Sequence, residues 1–300
     1  MDQQIICFGE ALWDILPKGA MPGGALMNVA IHLKYNGFSP LLLSRIGNDR
    51  LGKDLLEVLR EKGIATRYIQ LDEIHPTSMV TANISNTREV SYEITPGVSW
   101  DYLAYDEQAV QMVTQSELFI YGSLASRHKA TYGTLIKYLG LAKVKVLDVN
   151  LRPPHYSPKL IEQLLTYADI VKMNHYELIE ITSWFGKNIG QKEAMEYIKL
   201  RFKLDMVLIT RGEKGAILLD AKGFIEHNGF QVKVEDTIGS GDAFLAAFLS
   251  KMIRGEDLQK ALEFASATGA LVATKSGALP AFSESQILGF IEHQNRSNKL

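Results

Sequence analysis

Short apolar runs alternate along this chain with longer stretches whose apolar residues recur at helical spacing. The runs cover 5–9, 41–46, 118–122, 144–149, 170–173, 206–210 and 216–219. They are brief and lack polar alternation, which predicts strands buried on both faces. The helical stretches cover 25–35, 52–62, 130–141, 158–167, 176–184 and 193–202, and the C-terminal third adds 242–253, 258–274 and 284–294. Strand–helix alternation of this kind predicts a three-layer α/β/α sandwich around a mainly parallel sheet. One region breaks the rhythm. Residues 78–85 and 88–95 alternate apolar and polar side chains around Asn86-Thr87, as a hairpin does when one face is wet or covers a ligand. The prediction is one domain over 1–300 with a small β lid built from about 10–24 and 77–97.

Composition narrows the class. The chain has 300 residues, 46% of them apolar, enough for a large packed core. A net charge of −2 argues against nucleic acid or an anionic membrane as the main partner. The single cysteine, Cys7, lies in an apolar run and reads as a small buried hydrophobe. With no disulfide framework, no basic-then-apolar leader and no apolar run near ~20 residues, the expectation is a cytoplasmic protein without a membrane span.

Chemistry concentrates at Asp236-Thr-Ile-Gly-Ser-Gly-Asp242, just ahead of a helical stretch. Gly239-Ser240-Gly241 frees the backbone to open its N–H groups at a helix start, where unpaired donors and the helix dipole bind anions. Asp242 places a carboxylate beside that site, able to take a proton from an attacking hydroxyl. The plainer alternative is a glycine turn followed by an acidic first-turn residue. Upstream, Gly23-Gly24-Ala25-Leu-Met-Asn28 lets a ligand approach the backbone, and Asn28 offers a polyol both donors and acceptors. Asp148, Asn150 and Arg152 close a strand at alternate positions and so would share one side, at the strand end where open α/β sheets bind ligands. Asn174 and Glu177 fit a capping box. Neither a P-loop pattern nor a dinucleotide-binding glycine fingerprint occurs, and the histidines do not cluster at metal-ligand spacing.

The 236–242 segment resembles the signature of the ribokinase-like (PfkB) carbohydrate kinases, Asp-Thr-x-Gly-Ala-Gly-Asp, with Ser240 in place of the alanine. The other motifs follow in that family's order, from Gly47-Asn-Asp49-Arg-Leu-Gly52 to Asn174-His-Tyr-Glu177. The resemblance implies ATP-dependent phosphorylation of a primary hydroxyl on a small neutral sugar, fructose first, by a ribokinase-like fold. Another sugar, a sugar acid of the 2-keto-3-deoxygluconate type, a nucleoside, or a silent binding protein are the alternatives. It implies Asp242 as base and Gly239, Ser240, Gly241 and Arg152 as the groups that offset phosphoryl charge. It assigns Asp14, Gly23, Gly24 and Asn28 to the sugar. Thr210, Arg211, Gly212 and Gly215 would lie over the nucleotide, with Ser266 and Gly269 at the adenine, although the family often has Asn where Ser266 stands. Asn174 and Glu177 would organise Mg²⁺ through water, and Asp236 and Ile238 would belong to a potassium-type site. Members acting on phosphorylated sugars and ribose read Gly-Gly-Lys-Gly where this chain has Gly23-Gly24-Ala25, so a neutral substrate is implied. The exposed edge of a β lid invites a second copy of the chain, a homodimer through the lid.

Overall fold

The computed structural model describes residues 4–16, 19–84 and 90–297. From the N-terminus the chain runs β1 (Ile5–Phe8), β2 (Leu12–Leu16), β3 (Gly19–Gly23), α1 (Ala25–Tyr35), β4 (Leu41–Gly47), α2 (Arg50–Glu61), β5 (Ile69–Asp72), β6 (Met79–Ile84) and β7 (Val90–Ile94). It continues through α3 (Glu107–Gln115), β8 (Leu118–Gly122), α4 (Lys129–Leu139), β9 (Lys145–Asp148), α5 (Pro158–Tyr167), β10 (Ile170–Asn174), α6 (His175–Ser183) and α7 (Gln191–Phe202). It ends with β11 (Met206–Thr210), β12 (Ala216–Leu219), β13 (Phe224–His227), α8 (Ser240–Ile253), α9 (Leu258–Ala273) and α10 (Glu284–Ser297).

Nine of these strands form one sheet in the order β13-β12-β11-β10-β9-β8-β1-β4-β5. All neighbours are parallel except the antiparallel β11-β12 and β12-β13 pairs at one end. Side chains alternate across the pleat, so the apolar strand runs feed two cores. Ile5 and Cys7 join a cluster with α1, α8 and α9, while Ile6 and Phe8 join one with α4, α5 and α7. The expected three-layer sandwich is therefore present. The parallel strands all end on one side, where the ligand crevice of an open α/β sheet lies.

A second sheet runs β3-β2-β6-β7, with β2-β6 parallel and the outer pairs antiparallel. It is the expected hairpin enlarged by 12–16 and 19–23. The Asn86-Thr87 turn lies outside the described residues. Val80 and Ile94 point inward with Leu12, Val98, Trp100 and Leu124. Val80 is thus covered by its own chain, and its apolar character does not call for a second one.

Three elements of the main sandwich lack the expected patterns. α3 buries only Ala109 and Val113, too few anchors for a readable stripe. β5 and β13 are short strands at the two ends of the main sheet, where one side needs no apolar partner. Among the described residues no helix is long and apolar enough to cross a membrane.

Candidate active site

One wall of the site begins where β1 ends. Glu10 is buried, and its Oε1 accepts the Ala25 N–H at 3.0 Å, capping the start of α1. Gly24 has φ 105, and a Cβ there would stand 2.5 Å from the Glu10 carbonyl oxygen, so the turn requires glycine. Asn28, one turn into α1, is buried, and its Nδ2 donates to Asp242 Oδ2 at 2.8 Å. On β2, the Asp14 carboxylate lies against the Gly23 backbone: a Cβ on Gly23 would be 1.9 Å from Oδ2.

The anion side is built from the start of α8. Gly239 caps the helix in the left-handed conformation, φ 74, and a Cβ there would meet Ala278 at 2.6 Å. Ser240 turns its hydroxyl away to donate to the Gly269 carbonyl at 2.9 Å. Asp242 follows in the first turn. Burial raises its carboxyl above the usual range, against the opposing pull of Lys172, the Asn28 bond and Arg152. Burial likewise lifts Glu10 to about 7 and Asp14 to about 6, with the Asp242 charge adding to both and Arg152 opposing. Three carboxyls held above their usual range in one cleft are the electrostatic mark of a functional site.

Below this surface, Lys172 Nζ donates to Asp148 Oδ1 at 2.9 Å and Oδ2 at 3.1 Å. Asp148 therefore does not share the cleft face with Asn150 and Arg152. It is sealed beneath it, because Asn150 takes φ 41 and turns the chain after β9. Asn174 caps α6, and Glu177 completes the expected capping box. Both Glu177 oxygens accept backbone N–H groups, from Leu151 at 2.8 Å and Asn174 at 2.7 Å. Asp236 ties its own loop to the one after α9, accepting from Ile238 N–H and Gly277 N–H at 3.0 Å each.

These elements enclose a cleft of about 350 Å³. It gathers Asp14, Gly24, Asn28, Asn150, Arg152 and Asn174 with Thr210, Ile238, Gly239, Gly241 and Asp242. The inward residues of the small sheet, Val80 and Ile94, line it from above. Other candidates lie outside its lining. Gly23 backs Asp14, Ser240 and Gly269 bond each other, and Glu177 and Asp236 brace loops. Ser266 donates to the Leu262 carbonyl of its own helix at 2.8 Å. The Arg211 guanidinium is held by Glu226 and the Ala216 and His227 carbonyls, so it braces the loop that Gly212 and Gly215 turn with positive φ. Glu10 and Lys172 line the cleft without having been anticipated. The signal for Lys172 was available: a lone charge within the apolar strand run Ile-Val-Lys-Met is costly unless paired.

A carboxylate behind a glycine turn at a helix start, facing a wall of buried polar side chains at the end of an open α/β sheet, is an arrangement suited to group transfer onto an alcohol. Residues 19–285 match the model of the pfkB family of carbohydrate kinases, and the chain belongs to that family. It is 30% identical to a probable fructokinase-3 of Arabidopsis thaliana over 97% of this chain and 92% of that protein. It is 29% identical to fructokinase-2 of Solanum lycopersicum over 92% of each. Among solved structures, a fructokinase of Xylella fastidiosa with bound ATP superposes with a TM-score of 0.86 at 23% identity, covering 98% of this chain and all of that one, 100%. A double-mutant fructokinase of Vibrio cholerae O395, bound to fructose, ADP and potassium ion, gives 0.84 at 22% identity, covering 97% and 98%. At these identities the two superpositions establish the fold.

Proposed function

We propose that this chain is an ATP-dependent fructokinase. Asp242 takes the proton from a primary hydroxyl of fructose, and the freed oxygen attacks the γ-phosphate in line as the bond to the bridging oxygen breaks and ADP leaves. Backbone N–H groups at Gly239, Ser240 and Gly241, with Arg152, offset the charge that develops on the transferred group. Asp14, Asn28 and the Gly23-Gly24 backbone hold the sugar. Thr210 and the loop of Arg211, Gly212 and Gly215 receive the nucleotide, and the end of the site near Ser266 and Gly269 takes its adenine.

Asn174 and Glu177 would hold Mg²⁺ through water. Asn174 lines the cleft, while Glu177 lies behind it with both oxygens on backbone N–H groups, so its carboxylate would reach such an ion only through bound water. Among the described residues no group of three His, Cys, Asp or Glu is placed to hold a metal ion. That favours an ion ligated mostly by phosphate and water, supplying charge neutralisation when bound. Asp236 and Ile238 would border a potassium site made mainly of loop carbonyls. The small sheet serves as the lid, excluding water from the transfer. A homodimer through this lid belongs to the same reading, supported by its outer strands β3 and β7 and by Met79, 49% exposed on the face away from the cleft. A monomer in light scattering at full activity would remove the dimer alone. A cytoplasmic location also belongs to it, supported by the buried, unpaired thiol of Cys7.

The observation that carries the reading is the Asn28–Asp242 bond, which ties a sugar-side wall to the proposed base inside one cleft. The test is ADP release coupled to a panel of sugars, sugar acids and nucleosides. Fructose should give the highest kcat/KM. Sugar-independent ADP release, or a nucleoside preferred over every sugar, overturns the proposal.

A further inference from the structure

Lys172 is 7% exposed, flanked along its strand by Ile170, Val171 and Met173, yet the cleft reaches it. Its ammonium lies beneath the anion cradle: a Cβ on Gly241 would stand 3.2 Å from Nζ. An ammonium has three donors, and Asp148 on the neighbouring strand engages Nζ through both its oxygens. A purely structural purpose explains this pair poorly. Replacing a buried ion pair by apolar groups is often neutral or stabilising, so such a pair is weak evidence for stability. Arg152, the other cation acting on Asp242, sits half-buried on a loop, whereas Lys172 is fixed in the sheet.

We infer that Lys172 is a positioning residue for the base: Asp148 pins its ammonium under Gly241, where its charge serves Asp242 and the cradle above it. The inference rests on Asp242 acting as the base. Lys172 is the largest of the influences that hold the Asp242 carboxyl down against burial. The charged groups acting with Asp242 are Lys172 from β10, Asp148 from β9, Arg152 from the turn after β9, Glu10 from the end of β1 and Asp14 from β2. Glu10 and Asp14 titrate at about 7 and about 6 and remain in every variant below.

The test is the pH profile of kcat/KM for fructose, at saturating MgATP, for wild type, Lys172→Met, Asp148→Asn and the double variant. An opposite charge at close range is worth about 1–3 pH units on a carboxylate. Lys172→Met should therefore move the ascending limb up by about a unit or more, with kcat recovering as pH rises. Asp148→Asn releases Lys172 from its partner and should move the limb down. Asp148 also repels Asp242 directly, so the double variant should lie below Lys172→Met but above Asp148→Asn. A merely structural pair predicts otherwise: both single variants lose Tm, the double regains it, and no limb moves. That result overturns the inference. If Lys172→Met does not fold, the double variant against Asp148→Asn decides, since the two differ only at position 172: a higher limb in the double supports the inference and an equal one overturns it. Asp242→Asn separates the two levels: inactive with unmoved limbs, only this inference fails; fully active, the base assignment fails and takes this inference with it.

Discussion

Asn28 and Asp242 stand 214 positions apart and meet through a 2.8 Å hydrogen bond from Nδ2 to Oδ2. The bond joins the first turn of α1 to the first turn of α8, so two helix starts converge on one point. It favours the ionised carboxylate that burial disfavours. Asp242→Asn keeps the side-chain volume and should keep the fold. Turnover should fall by about 10²–10⁴-fold, the range that general base catalysis supplies. The check is kcat at saturating fructose and ATP beside an unchanged melting curve. Turnover within a few-fold of wild type would remove Asp242 from the chemistry.

The glycine cradle makes a graded prediction. Gly239 sits at φ 74 with Ala278 in its way, whereas Gly241 has no positive φ and a Cβ there would approach only the Lys172 ammonium, at 3.2 Å. A left-handed conformation costs a non-glycine residue roughly 1–2 kcal/mol, before the contact with Ala278 is counted. Gly239→Ala should therefore lower Tm and kcat clearly more than Gly241→Ala. Equal melting temperatures for the two variants would contradict the backbone argument.

The fold was legible because its strands are buried on both faces. Uninterrupted runs such as Ile5-Ile-Cys-Phe8 mark the sheet, and their alternation with helices orders it. What escaped has a physical reason in each case. β13 has no fully buried residue, so its sequence carries little apolar pattern. Asp14 and Asn28 came from a family resemblance and a glycine turn. Lys172 and Glu10 sit beneath or behind the motifs, where local sequence shows one charge but not its partner. Asp148 and Lys172 are 24 positions apart, and only strand pairing brings them together. The Asp148-x-Asn150-x-Arg152 spacing misled on one point, because alternation holds only while the chain stays extended and Asn150 leaves that conformation.

Acid should weaken the fold through His32. Its ring is buried and donates to the Ala278 carbonyl at 2.8 Å, and burial lowers its pKa to about 4. The unfolded chain takes up this proton near 6.5, the folded one only near 4, so stability rises with pH across that window. Its contribution is complete above pH 6.5 and is lost progressively down to about 4. Wild-type Tm should fall relative to His32→Gln through this range and run parallel to it above pH 7. Parallel curves throughout would show that His32 does not drive acid sensitivity.

Substrate charge offers the sharpest test of the sugar end. Glu10 and Asp14 line that wall, and position 25 holds alanine, whose N–H is already taken by Glu10. Of the cleft's cations, Lys172 is held by Asp148 and acts on Asp242, while Arg152 is shared among Asp242, Glu10 and Asp14. A phosphate carried in on the sugar would face Glu10 and Asp14 and would have to compete with them for Arg152. Like charges brought together across a binding surface cost several kcal/mol. The kcat/KM for fructose should exceed that for fructose 6-phosphate by on the order of 100-fold or more. The discrimination should appear chiefly in KM, because the reacting hydroxyl and its base are unchanged. Ala25→Lys should narrow the gap by supplying a further cation. A wild-type enzyme that prefers the phosphorylated sugar would refute the neutral-substrate reading, and an unaltered gap in Ala25→Lys would place the discrimination elsewhere than at this wall.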